Sequence, residues 1–142
     1  MEVSEVRRRL RAAIDQARRD VSARRERTDL SVRAYDRFLE AQAVPVFQTL
    51  GAALTAEGFR YKVATPAGSV RLSSEASSDF IEMILDTSQD PAAVLVRTSR
   101  GRGRRQVDTE RVVASGPAAI ETLTDDLLLD AVLAEIGPFV ER

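Results

Sequence analysis

Cysteine, histidine and tryptophan are all absent from this 142-residue chain. Without Cys there are no disulfides, thiolate nucleophiles or cysteine-bound metals. Without His the chain lacks the commonest general base and the commonest transition-metal ligand, so a metal site would have to be all-oxygen, which suits Mg or Ca. Lys62 is the only lysine. A P-loop is thereby excluded, and a single residue remains for Schiff-base chemistry. Long hydrophobic runs are missing too. No apolar stretch reaches about 18 residues, so no membrane contact is expected. The start, Met1-Glu2-Val3-Ser4-Glu5, lacks the basic-then-apolar order of a secretion signal, and the expected location is cytoplasmic. With no catalytic, metal or cofactor motif, the expectation is a chain that is not an enzyme and takes no cofactor.

What is present suffices for a core. Hydrophobic residues make up 44% and charged residues 30%, close to ordinary globular usage. The net charge of −1 conceals strong segregation. Residues 1–28 hold nine Arg against five acids, and residues 97–111 hold six Arg against Asp108 and Glu110. Residues 75–90 hold Glu75, Asp79, Glu82, Asp86 and Asp90 with no base, and residues 112–142 hold six acids against Arg142. Such blocks can pair within the fold or between subunits.

Residues 2–27 read as one helix. Val3, Val6, Leu10, Ile14, Ala17 and Val21 recur at helical spacing and form a narrow apolar seam. A core-facing helix carries a wider stripe. The seam suits a helix lying against one other helix, on its own domain or on a second chain. Thr28-Asp29-Leu30-Ser31 offers N-caps for a second helix. That helix carries Val32, Tyr35, Phe38 and Leu39, kinks or restarts at Pro45, resumes with Phe47, Leu50 and Leu54, and ends at Gly58.

From Phe59 the period becomes two. Phe59–Val63 and Val70–Ser73 flank a Pro-Gly turn; Phe80–Asp86, Ala93–Thr98 and Arg105–Val113 follow, with residues 99–103 as a hairpin tip. After Gly116-Pro117 comes a short turn, then a helix capped by Thr124 and closed by Gly137-Pro138. The expected fold is α+β: an N-terminal helical arm and kinked helix, a five-stranded antiparallel meander and a C-terminal helix. Residues 1–28 form the arm and 29–142 a single domain. The expected core is Phe38, Phe47, Leu50, Leu54, Tyr61, Val63, Ile81, Met83, Val94, Val96, Leu128 and Leu133.

Three constellations bear on function. Arg97, Arg100, Arg102, Arg104 and Arg105 surround two glycines, as a phosphate-contacting tip would, but no aromatic residue stands among them for base stacking. Nucleic-acid binding is therefore the second choice. On the meander, Arg71, Glu82, Arg97 and the pair Asp108 and Glu110 alternate in sign from strand to strand, which stabilises a sheet without any ligand. Asp79, Glu82, Asp86 and Asp90 would serve a Mg-dependent phosphoester hydrolase, the weakest alternative, since Glu82 and Asp86 lie about 13 Å apart at strand rise. The central strands are apolar on both faces: Phe80, Ile84 and Leu95 lie opposite Ile81, Met83 and Val96, so the second face calls for a cover. The functional expectation is a protein-interaction module (a small adaptor, chaperone-like or assembly factor) forming a homodimer. Its partner-binding residues would be Val3, Val6, Leu10, Ile14, Ala17 and Val21 on the arm, with Phe80, Ile84 and Leu95 on the sheet.

Overall fold

No glycine precedes Gly51 and no proline precedes Pro45. In the computed structural model, which describes residues 1–141, this stretch is one uninterrupted helical rod. Helix α1 (Val3–Phe38) runs through a π turn (Leu39–Ala43) into α2 (Val44–Ala56). The expected break at Thr28–Ser31 does not occur. Ser, Thr and Asp permit a helix start without forcing one, and inside a helix each costs only about 0.5 kcal/mol, against about 3 for Pro. The expected disturbance at Pro45 does occur, as the π turn. A proline ring collides with the carbonyl four residues back, and widening the preceding turn relieves the collision. The amide of Val44 accordingly donates to the carbonyl of Leu39, five residues back. Gly58, with φ 90, ends the rod. Phe59 N donates to Leu54 O at 2.8 Å and Gly58 N to Thr55 O at 3.0 Å, the paired bonds of a Schellman cap.

Burial along α1 starts at Ser31 and continues with Ala34, Tyr35 and Phe38. The Tyr35 hydroxyl donates to Gly68 O at 2.6 Å. Before Ser31 the side chains are exposed apart from the half-buried Glu5 and Thr28.

Strands β1 (Tyr61–Ala64), β2 (Val70–Ser74), β3 (Phe80–Asp86), β4 (Ala93–Arg102) and β5 (Arg105–Ser115) pair in the order β1-β2-β3-β4-β5, antiparallel throughout. The last hairpin is longer than the sequence suggests. Arg102 pairs with Arg105, so the tip is only Gly103-Arg104. Gly103 has φ 63, the positive angle wanted at the first central position of a type II′ turn. A bulge at Val94/Leu95 shifts the register with β5. Helix α3 (Pro117–Glu121) leads to α4 (Asp125–Glu135), whose N-cap Thr124 accepts from Leu127 N, and a 3-10 turn (Gly137–Phe139) follows.

One face of the sheet carries Leu72, Ile81, Met83 and Val96 under α2, α4 and the end of α1, with Phe47, Leu128 and Val132 completing the core. Most of the expected core is buried. Leu50, Tyr61 and Val63 pack at its edge, half-buried. Leu133 is the correction, at 45% exposed. At about 100° per residue it points roughly 140° away from Leu128, which occupies the core side.

Candidate functional site

The second face of the sheet holds the sign-alternating row. Arg71 stands opposite Glu82, Glu82 opposite Arg97, and Arg97 opposite Glu110, across four neighbouring strands. Arg71 Nη2 lies 2.9 Å from Glu82, and Arg97 Nε lies 3.7 Å from Glu110. Asp108 faces Ser99 instead, two pairs further along. The Arg71 guanidinium also sits 3.9 Å from the centre of the Phe80 ring, a cation–π contact.

This face needs less cover than its apolar content suggests. Leu95 is 2% exposed although it lies outside the helix-covered core, flanked in register by Ile84 and Val112. Phe80 lies under Arg71, and Ile84 is half-buried. Long arginine side chains shield apolar surface along their aliphatic stems, which period-two counting ignores. Val112 remains the open apolar residue here.

The arm is different. Val3, Val6, Leu10, Ile14 and Val21 are 41–76% exposed, and Ala17 is exposed as well. Among the described residues the arm's side-chain bonds to the rest of the chain lie at its base. Arg27 Nη2 pairs with Asp90 at 2.8 Å, and Arg24 reaches the Ser88 carbonyl at 3.5 Å. Arg27 holds the Asp90 carboxyl below the usual Asp value. Arg8 and Arg9 pair with Glu5, whereas Arg7, Arg11, Arg18 and Arg25 make no ion pair among the described residues.

The five hairpin arginines are separated by the register. Arg97 belongs to the charge row on the second face; Arg100 and Arg102 lie on the opposite face, Arg105 faces Arg102, and Arg104 sits in the turn. Each of the four acids of the hydrolase alternative has its own local partner. Asp79 accepts from Gly101 N, Glu82 from Arg71, Asp86 from Ser88 and Gln89, and Asp90 from Arg27. The bonds from Gln89 and Ser88 hold Asp86 below its usual value. Among the described residues no three acidic side chains gather where they could share a metal ion.

One apolar feature escaped the sequence reading. Between α2 and α4 runs an open groove of about 500 Å³, lined by Ala41, Gln42, Pro45, Val46, Thr49, Leu50, Ala53, Asp125, Leu129 and Leu133. A signal for it was available. Leu127, Leu128, Leu129, Ala131, Val132 and Leu133 spread over about two thirds of the circumference of α4, wider than one core-facing stripe, so part of that surface has to face elsewhere. Among the described residues no helix is long and apolar enough to cross a membrane. No family model, curated protein or solved structure matches this chain.

Proposed function

We propose that the chain is a non-catalytic protein-interaction module, of adaptor, chaperone-like or assembly-factor kind, working as a homodimer. One observation carries this reading: a helical arm with a continuous apolar seam left exposed among the described residues. A lone amphipathic helix has little stability in water, and contiguous exposed apolar surface marks an interface. A dimer joined through the arm removes that surface from solvent. The test is the mass in solution by sedimentation equilibrium. The parent is expected to be a dimer at about 10 μM, a concentration matching a free energy of roughly −7 kcal/mol. Leu10→Asp with Ile14→Asp, both at exposed positions, is expected to yield a folded monomer. A parent still monomeric at tenfold higher concentration refutes the reading.

A second reading, a nucleic-acid-associated regulator, is favoured by Arg100, Arg102, Arg104 and Arg105 at the hairpin tip and by Arg7, Arg11, Arg18 and Arg25 on the arm, none in an ion pair among the described residues. It calls for submicromolar binding to duplex DNA or structured RNA that falls steeply with salt as counterions are released.

A further inference from the structure

The arm and the α2–α4 groove complement each other. The arm seam repeats every eleven residues, Val3 with Ile14, Val6 with Ala17 and Leu10 with Val21. That period runs almost straight along an α-helix and spans only about 80° of its circumference. Along one edge of the seam, within about 40°, stand Arg7, Arg11, Arg18 and Arg25, none of them in an ion pair among the described residues. The arm is therefore a narrow apolar stripe with a basic border on one side.

The groove repeats this arrangement with the opposite charge. Most of its lining is apolar, with Val46, Leu50 and Ala53 from α2 and Leu129 and Leu133 from α4. Helix α2 contains no charged residue. The α4 side is acidic. Asp125 lines the groove, and Asp126 and Asp130 are exposed on the flank beside Leu133; none of the three is in an ion pair among the described residues. The groove runs along the π turn and α2 from Ala41 to Ala53, about 18 Å at helical rise, and the segment from Leu10 to Val21 is about 17 Å long.

We infer that the α2–α4 groove receives the N-terminal arm of a second copy of this chain, with Leu10, Ile14 and Val21 against Leu50, Leu129 and Leu133 and the arginine border beside Asp126 and Asp130. The chain's own arm cannot occupy it. Arm and groove wall belong to one continuous helical rod, and Val21 lies about 30 Å along that rod from Ala41. Two arms and two grooves then close into an isologous dimer. This inference rests on the homodimer reading above and specifies where the arm docks.

Because the chain has no cysteine, single-cysteine variants of the full chain test it cleanly. Ile14→Cys and Leu133→Cys, mixed and oxidised, are expected to give a disulfide-linked heterodimer. Arg19→Cys, on the far side of the arm, is expected to give none with Leu133→Cys. Reversing Asp126 and Asp130 to Arg is expected to weaken dimerisation at least about tenfold, and adding Arg11→Asp and Arg18→Asp to restore it. A dimer in which Ile14→Cys links to itself and not to Leu133→Cys, and in which the α4 reversals change nothing, overturns the docking site while leaving the arm as the dimerising element. A monomeric parent, including one that binds anionic vesicles through the arm, overturns both.

Discussion

The charge row on the sheet permits a quantitative comparison of two ion pairs in one protein. The Glu82 side chain is 7% exposed and receives Arg71, itself 36% exposed, at 2.9 Å. The Arg97 and Glu110 side chains are 45% and 60% exposed and stand 3.7 Å apart. Exposed pairs couple by about 0.2–1 kcal/mol, because water solvates both partners and orienting two long side chains costs entropy. Removing one partner of a fully buried pair costs about 3–5 kcal/mol, most of it from the charge left behind. Arg71→Ala leaves Glu82 in that position, relieved in part by Arg97 across the strand. Its expected cost is about 2–3 kcal/mol, while Glu82→Ala leaves an arginine that can turn to water and costs about 1–2. The expected coupling from a double-mutant cycle is about 1–2 kcal/mol for Arg71–Glu82 and below about 0.5 for Arg97–Glu110. Urea denaturation of the single and double variants, checked for constant slope, measures both. Repeating the cycles in 1 M NaCl, where the screening length is about 3 Å, should abolish the second coupling and leave most of the first. Couplings equal within error, or both erased by salt, would show that burial of Glu82 does not strengthen its pair.

Two further outcomes follow from the same packing. Phe47→Ala, at a position with no exposure, should cost about 3–5 kcal/mol in urea denaturation of the Leu10→Asp/Ile14→Asp background, chosen because it is expected to be monomeric, whereas Leu133→Ala there should cost no more than about 1; similar losses would mean that Leu133 belongs to the core after all. The arm tether should be acid-labile. Since Arg27 lowers the folded pKa of Asp90, its contribution is complete above the ordinary Asp value of about 3.9 and is lost as pH falls through the lower folded value. NMR titration of the Asp90 carboxyl should give a midpoint below 3.9 that returns to it in Arg27→Ala; a midpoint already at the ordinary value in the parent would show that the tether does not form in solution.

Much of the architecture was decided locally and could be read from the residues. Period-two alternation from Phe59 onward and short polar turns specify an antiparallel meander, because short turns can join only antiparallel neighbours. That parity also brought Arg71, Glu82, Arg97 and Glu110 into one row. Gly58 and Thr124 end and begin helices by backbone and side-chain bonds that lie within a few residues. The narrow seam from Val3 to Val21 was legible for the same reason: a helix brings residues three and four apart together whatever surrounds it. What tertiary structure alone decided are choices among locally acceptable alternatives. Thr28–Ser31 could cap or continue a helix, and burial of Tyr35 and Phe38 in the last turns of α1 accompanies continuation. Leu128 and Leu133 are chemically alike, and only the direction from which the sheet meets α4 puts one in the core and the other at a groove. Leu95 is buried although it lies on the face away from the helices, which no one-dimensional pattern records.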